Sequence, residues 1–191
     1  PQDSYPGSFY ITGFDHDELV AEVSIPAPVK QTDTVLTGVP TASFLHDFAD
    51  ITGGLAATRD EGSGFVLDGL AYLEAQGNQT SPKIYWTART YYNVDTSDDA
   101  SHGMSEVNLS SPAAKGIWRL GDYHGQLTGG YIFTVPEYFA NVYLQGKRLI
   151  SGLFTHQGVS ATSQGPAMFA YGPWVDSAAG SALANGTKLS A

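Results

Sequence analysis

Three stretches of the chain share one order of parts, and this repeated order predicts the fold. FYITG at residues 9–13 precedes His16 and VAEVSI at 20–25, IYWTA at 84–88 precedes His102 and MSEVNL at 104–109, and LISG at 149–152 precedes His156 and AMFAY at 167–171. Each copy is an apolar run with a small residue at its end, then a loop with a histidine, then a second run. The anchors Thr12, Thr87 and Ser151 lie about 75 and about 64 residues apart, a spacing typical of repeats that are small β-sheets.

Short strands are predicted along most of the chain. Its 22 Gly and 10 Pro separate short runs that are rich in Tyr, Phe, Val, Ile and Thr, a pattern that indicates strands and turns. The best helix candidate is short, residues 136–144, with Pro136 at its start and Gly146 beyond its end. Strands at 70–73 and 130–135 extend the repeated phrases into antiparallel meanders of three or four strands. The predicted fold class is therefore all-β.

A meander of this size cannot bury both of its faces alone, so the copies must pack against one another. Radial packing gives a β-propeller, and stacking gives a β-sandwich. We favour the propeller because the runs that begin at Gly69 and Gly129 carry small residues, which suit crowded central strands. The predicted domain covers residues 1–175, with repeats near 8–65, 66–125 and 126–175, and residues 176–191 form a polar tail or a partner-supplied strand.

Three blades do not close a propeller ring, which needs four to eight. The first repeated phrase also has no inner strand before it. Three explanations follow: another protein chain completes the β-propeller, the chain is part of a longer product, or the ring is the wrong arrangement. The sequence leaves all three open.

The charge and the composition narrow the classes of partner. The formal net charge is −10, with only nine Lys and Arg, so nucleic acid and anionic membrane surfaces are not expected partners. No run approaches the roughly 18 apolar residues of a membrane span. With no cysteine, the chain has no disulfide, thiolate metal site or cysteine nucleophile. Cations and neutral polar ligands such as sugars remain compatible with this charge, and so does a role of the charge in solubility alone.

An extracellular location is predicted from two features. The chain opens on Pro1 as a mature protein could after signal removal. Three glycosylation sequons begin at Asn78, Asn108 and Asn185, and their use would require a secretory route.

The histidine loops supply the first candidate site. Asp15 and His16 begin a polar cluster in the first loop, and the histidine recurs as His102 and His156. Three histidines at one place per repeat could converge on a central axis and bind a metal ion or sugar hydroxyls. Equally, each histidine could donate to a backbone carbonyl in its own blade as a structural tie.

Further ionisable and aromatic residues could face the same cavity. Arg59 and Asp60 precede one presumed inner strand, and His124 precedes another. Asp15, Asp60 and Glu106 are candidate catalytic carboxylates, since glycosidases use such pairs. Aromatic residues make up 12% of the chain, and rings such as Trp118 could either grip a sugar or cover the sheets.

No cofactor is expected from the motifs. The one weak calcium-like pattern places oxygen ligands at Asp95, Ser97 and Asp99, but it lacks the glycine and the closing glutamate of a calcium loop. The sequence also contains no serine-hydrolase elbow, phosphate loop, dinucleotide fingerprint or HExxH motif, so those chemistries are poor candidates.

The order and spacing of strands and turns in residues 8–175 resemble those of a known group of proteins. GGYIFTVP at 129–136 through RLISG at 148–152, GPAMFAY at 165–171 and LAYL at 70–73 resemble secreted β-propeller proteins, some of them similar to arabinanase-type and sialidase-type glycosidases. The resemblance implies a propeller fold and an interaction with carbohydrate. It lies in strand-and-turn phrases, and no active-site residue is carried over from it.

Two functions are therefore expected from the sequence. The first is an extracellular carbohydrate-binding module, which could be part of a glycoside hydrolase. The second is a structural subunit of an extracellular assembly, held by strand exchange through its incomplete repeat and its polar tail.

Overall fold

The structure is a computed structural model that describes residues 7–13, 18–30, 38–54, 65–90, 100–154, 166–172 and 188–189. These residues form eleven strands and two short helices: β1 (Gly7–Thr12), β2 (Val20–Ile25), β3 (Phe44–Ala49), β4 (Phe65–Leu73), β5 (Lys83–Thr90), β6 (Ala100–Glu106), β7 (Lys115–Leu120), α1 (Gly125–Thr128), β8 (Tyr131–Thr134), α2 (Glu137–Tyr143), β9 (Leu149–Leu153), β10 (Ala167–Tyr171) and β11 (Lys188–Leu189). The predicted all-β class is confirmed, and the predicted helix at 136–144 is found as α2.

The strands form three sheets, each built from neighbouring segments of the chain. The first sheet has the order β1-β2-β3, the middle sheet β11-β7-β6-β5-β4, and the last sheet β10-β9-β8. All pairs are antiparallel except that of β11 with β7, which is parallel. Thus β11, which lies in the predicted tail, pairs within its own chain.

The middle sheet is covered on both faces. Successive residues of a strand point to opposite faces, and β5 shows this alternation: Tyr85 packs in a core with the last sheet, while Ile84 and Trp86 pack in a core with Val20 of the first sheet. Ile84, Tyr85 and Trp86 are all buried. The three sheets therefore form a stack in chain order, with the middle sheet between the other two.

Glycine allows the middle and last sheets to approach closely. A Cβ atom at Gly69 of β4 would lie 2.8 Å from the backbone nitrogen of Ile132 in β8. Beside it, the Thr87 hydroxyl donates a hydrogen bond of 2.6 Å to the carbonyl of Gly130. The small residues of these runs thus lie where two strands from different sheets cross.

The blade arrangement stays a prediction. Sheets that pack face to face in chain order occur in a propeller and also in a stack of sandwich layers. One element differs from the sequence prediction: His102 lies inside β6 and not in a loop. The second strand of this phrase begins at Ala100 and therefore includes His102.

Candidate functional site

A cleft opens between the first and middle sheets. It is bounded on one side by β1 and β2 and on the other by β4 and β5, and it encloses about 540 Å³. We call it the inter-sheet cleft, and it is lined by Ser8, Phe9, Tyr10, Glu22, Leu70, Tyr72, Ile84 and Val107. A volume of this size lies within the range of small-ligand sites in proteins.

Strand alternation places the cleft side chains. Ser8, Tyr10 and Glu22 share the face of the first sheet that meets the middle sheet, since Tyr10 is paired with Glu22 and packs into the shared core. Leu70 and Tyr72 are two residues apart on β4 and therefore project from the same face. The cleft thus has an apolar floor with polar groups on the wall from the first sheet.

The polar wall is held in place by hydrogen bonds. The Ser8 hydroxyl donates to Oε1 of Glu22 at 2.5 Å, and the Tyr10 hydroxyl donates to the carbonyl of Val107 at 3.1 Å. The second bond joins β1 to the segment after β6, across the two sheets. Glu22 keeps further acceptor positions after this one bond, because a carboxylate accepts at about four sites.

The Tyr10 phenol stays protonated under ordinary conditions. Burial, the negative charge of Glu22 and the nearby Tyr72 raise the pKa of Tyr10 to about 12. The hydroxyl of Tyr72 donates to Oε1 of Glu74 at 3.1 Å, and its side chain is 45% exposed. Tyr72 therefore offers an accessible aromatic face at the mouth of the cleft.

A buried polar network crosses the interface of the middle and last sheets. Both ring nitrogens of His102 are engaged: Nδ1 with the Ser101 hydroxyl at 2.8 Å, and Nε2 with the Ser151 hydroxyl at 2.8 Å. Ser101 continues the network to the Thr128 hydroxyl at 2.9 Å. The Tyr171 ring contacts the imidazole edge-on, with 4.8 Å between the ring centroids.

His102 is neutral in this position. Its side chain is completely buried, and burial lowers its pKa to about 3. The ring joins β6 of the middle sheet to β9 of the last sheet. The structural-tie interpretation placed a backbone carbonyl of the same blade as the partner, whereas the observed partners are serine hydroxyls and one of them belongs to another sheet.

A second buried group lies near α1. Arg89 of β5 forms an ion pair through Nε with Asp68 of β4, and its terminal nitrogen donates to the Gln126 side chain at 3.4 Å. Burial raises the pKa of Asp68, while the positive charge and hydrogen bond of Arg89 oppose that rise. The pair links β4, β5 and α1, and we assign it a structural role.

The structure places four of the predicted site residues. His102 and Trp118 are fully buried, and Glu106 forms an ion pair of 2.5 Å with Lys83. His124 caps α1, because its Nδ1 accepts from the backbone N–H of Gln126 at 3.0 Å. None of the four lines the inter-sheet cleft.

Glu106 lies on the far side of the middle sheet from the cleft. Its strand partner Lys83 alternates with Ile84, which lines the cleft, and shares a face with Tyr85. The other predicted site residues lie outside the described residues: Asp15, His16, Arg59, Asp60 and His156, together with the calcium-like set Asp95, Ser97 and Asp99. The predicted convergence of the three histidines therefore remains a prediction.

Two of the sequons lie on described turns. Asn78 is exposed at the turn closed by the bridge between Gln76 and Gln79. Asn108 is also exposed, and its side-chain oxygen accepts from the backbone N–H of Ser110 at 3.0 Å. The third, Asn185, lies outside the described residues.

The cleft residues were missed by the sequence-based prediction. That prediction looked for chemistry in loops, whereas Tyr10, Glu22 and Tyr72 lie within strands. The available signal was the tyrosine in each of the two short runs at residues 8–10 and 70–72, but only the packing of the two sheets shows that these runs line one cleft.

The described part of the chain contains neither a cluster of metal-ligating side chains nor a membrane-spanning helix. No cluster of three or more His, Asp or Glu side chains there is placed to hold a metal ion. No helix among the described residues is long and apolar enough to cross a membrane.

Comparison of the chain with protein-family models, curated proteins and solved structures gives no match.

Proposed function

We propose that the protein binds a neutral carbohydrate in the inter-sheet cleft. The observation that carries the proposal is the combination of two tyrosine rings, Tyr10 and Tyr72, with the carboxylate of Glu22 in one cleft of about 540 Å³. Sugars present C–H faces that pack on aromatic rings and hydroxyls that donate to carboxylates. This pairing of apolar and polar groups is typical of sites for such ligands.

The charge of the cleft favours a neutral ligand. Among the described lining residues, Glu22 is the only carboxylate and none is Lys or Arg. Glu74, which accepts from the Tyr72 hydroxyl, adds a second negative charge at the mouth. An anionic ligand would meet the negative charge of Glu22 and, at longer range, a chain with a net charge of −10. Like charges repel, so a phosphorylated or acidic glycan is disfavoured relative to a neutral one.

Binding is favoured over hydrolysis for this cleft. Glycoside hydrolysis ordinarily uses a pair of carboxyl groups about 5–10 Å apart. Glu22 provides one such group within the described lining. Glu74 lies outside that lining and is bonded to the Tyr72 hydroxyl, and Glu106 is held by Lys83 on the opposite face of the middle sheet. The proposal is therefore a binding site.

The structural-subunit alternative receives less support from the described strands. Strand exchange would use an end strand that seeks a partner, yet β1 pairs with β2 and β11 pairs with β7 within the same chain. We therefore place carbohydrate binding first.

Affinity electrophoresis in gels that contain neutral polysaccharides, followed by calorimetry with the matching oligosaccharides, tests the proposal. Tyr72→Ala removes the accessible ring and is expected to weaken binding about 5- to 30-fold, since a stacked ring contributes about 1–2 kcal/mol. Tyr72→Phe keeps the ring and is expected to retain most of the affinity.

Tyr123→Ala is the matched control. Tyr123 is also 45% exposed, but it lies outside the cleft and contacts Phe169. Binding by Tyr72→Ala that equals binding by the parent, or a parent that binds no neutral glycan, would show that the cleft is not a carbohydrate site.

A further inference from the structure

The outer face of the last sheet exposes a group of large apolar side chains. Ile132 points from β8 into the core shared with the middle sheet, so its neighbour Phe133 points outward, with 39% of its surface exposed. Met168 of β10 and Phe154, directly after β9, are 65% and 71% exposed. We call Phe133, Phe154 and Met168 the aromatic end.

This surface is held rigidly by Tyr131. The Tyr131 hydroxyl donates to the carbonyl of Ala167 at 2.7 Å, and the ring lies over Gly152, where a Cβ atom would come within 2.9 Å of that hydroxyl. Phe154 stacks on Tyr131 with 4.0 Å between centroids, and Phe133 lies at 5.8 Å on the same ring. A pre-formed apolar surface loses little conformational entropy when a partner binds.

Helix α2 extends the apolar surface at this end. It packs through Ala140 against Ile150 on the outward face of β9. Its solvent side presents Tyr138, Phe139, Val142 and Tyr143, which are 74%, 42%, 53% and 65% exposed. Exposed apolar groups concentrated on one side of a protein mark an interaction surface.

The opposite end of the stack carries a second apolar face. Tyr10 points from β1 toward the middle sheet, so Phe9 points away from it. Phe9, Phe44 and Phe48 are 47%, 55% and 42% exposed, and the rings of Phe44 and Phe48 lie 5.8 Å apart. We call these three residues the phenylalanine end.

We infer that the chain pairs with a second copy of itself, the aromatic end of each copy packed against the phenylalanine end of the other. The protein already uses this kind of contact twice, since apolar sheet faces meet on both sides of the middle sheet. Two copies bring together six sheets, a number within the four to eight that close a ring. The contact joins the outer face of the first sheet to the outer surface of the last sheet, part of which α2 forms, and it is independent of carbohydrate binding in the cleft.

The area buried by one contact is smaller than that of a stable interface, so both contacts must form together. Three strands of about five residues span about 14 Å by about 17 Å, so the outer face of the first sheet covers about 240 Å² in projection. The last sheet presents a surface of similar outline, which α2 fills in part. A single contact between two such faces buries about 500 Å², which is the size of a crystal-packing contact. The two contacts of a closed pair bury about 1,000 Å² in projection and more in accessible area, which approaches the size of a stable interface.

A head-to-head pair would bury only one of the two apolar ends of each copy. Joining two aromatic ends would leave Phe9, Phe44 and Phe48 exposed on both copies. The head-to-tail pair with two-fold symmetry covers all four faces and leaves none for further growth. The named side chains of both ends are uncharged, so added salt should strengthen the pair by screening the net charge of −10 on each copy.

Light scattering after size-exclusion chromatography of the full chain, over a concentration series, tests this inference. The parent is expected to have twice the mass of the chain. Met168→Asp at the aromatic end and Phe44→Asp at the phenylalanine end are each expected to weaken the pair at least tenfold. Val29→Asp is the matched control, because Val29 is 50% exposed but lies after β2 outside both ends.

Mixing the two variants separates the head-to-tail pair from a head-to-head pair. A mixed pair of Met168→Asp with Phe44→Asp contains one contact with both substitutions and one contact without any. The mixture is therefore expected to form more dimer than either variant alone, in which both contacts are impaired, but less dimer than the parent, in which both contacts are intact. Phe154→Asp, beyond the end of β9, replaces Met168→Asp if circular dichroism shows that the latter is unfolded.

Three results would overturn the inference. A parent that stays monomeric over the whole series shows that the ends do not pair. A dimer that responds only to substitutions at the aromatic end is a head-to-head pair. A mass that keeps rising with concentration shows an open chain of copies instead of a closed pair.

Discussion

At the scale of single residues, His102 shows how burial converts a titratable group into a structural one. Its imidazole is completely enclosed, and both nitrogens are engaged with serine hydroxyls. A charged imidazole could still donate to both hydroxyl oxygens, but its charge would lie in surroundings that solvate ions poorly. Burial therefore favours the neutral ring that joins the two sheets.

This neutrality predicts a loss of stability in weak acid. The folded-state pKa of His102 is lowered to about 3, below the unfolded value of about 6.5, so the unfolded chain takes up a proton first. The free energy of unfolding is fully present above pH 6.5 and falls by up to about 1.4 kcal/mol for each pH unit below it. Acidification from pH 7.5 to pH 5.0 should lower the free energy of unfolding by about 2 kcal/mol through His102 alone.

Urea denaturation of the parent and of His102→Gln at both pH values measures this effect. The variant is expected to be less stable at pH 7.5 but to lose about 2 kcal/mol less than the parent on acidification. His46→Gln, at a partly exposed histidine of β3, is measured alongside as a control for the substitution itself. An unchanged pH dependence in His102→Gln would contradict the neutral, buried state of this ring.

Gly103 is the second residue whose environment fixes its identity. It lies opposite Trp86 on β5, and a Cβ atom at this position would come within 2.1 Å of the indole ring. The Trp86 ring is itself buried and donates from its indole nitrogen to the Ser105 hydroxyl at 2.9 Å. The ring therefore has no free direction in which to move.

Gly103→Ala is expected to lower the free energy of unfolding by about 2–3 kcal/mol, as overpacking of a core does. Chemical denaturation followed by tryptophan fluorescence measures the loss. Gly7→Ala in β1 is the matched control, because the added Cβ there would meet only the end of the Ile25 side chain at 3.3 Å. Equal stabilities of the two variants would contradict the packing described here.

At the scale of elements, the sequence predicts strands well and their side-chain environments less well. The apolar runs at residues 84–88 and 149–152 lie within β5 and β9, and the short helix lies at its predicted place. These elements depend on local periodicity and on Pro or Gly punctuation, which are visible in one chain. The all-β class follows from them.

What the sequence does not reveal is which strands face each other. His102 follows a loop-like stretch in sequence but is buried in β6, because Ser151 and Tyr171 of the last sheet cover it. Glu106 is a plausible catalytic carboxylate until its register with Lys83 is known. The cleft is not visible in the sequence for the same reason. Tyr10 and Tyr72 are 62 positions apart and come together only through the packing of the sheets.

The edge strand β4 is a second feature at the scale of elements. β4 is an edge of the middle sheet, and an unpaired edge invites aggregation. The Glu18 carboxylate, from the segment before β2, accepts the outward backbone N–H of Leu67. It does so where the register shifts between Leu67 and Gly69. A local bulge and one carboxylate thus protect part of an exposed edge and join the first sheet to the middle one.

At the scale of the whole molecule, the order of the sheets sets an order of stability. The middle sheet is packed between the other two sheets, while the first and last sheets each expose large apolar side chains on their outer faces, and α2 covers part of that face in the last sheet. Local opening requires the loss of fewer contacts where only one face is covered. The middle sheet should therefore open last.

Hydrogen–deuterium exchange read by mass spectrometry tests this order. Peptides from β5 and β6 are expected to exchange at least tenfold more slowly than peptides from β1 and β3, because exposing them requires the first or the last sheet to separate. β2 is the internal control: it is the central strand of the first sheet and contains the buried Val20 and Ala21, so its protection should lie between the two groups. Equal protection of β1 and β5 would mean that all three sheets open together as one cooperative unit.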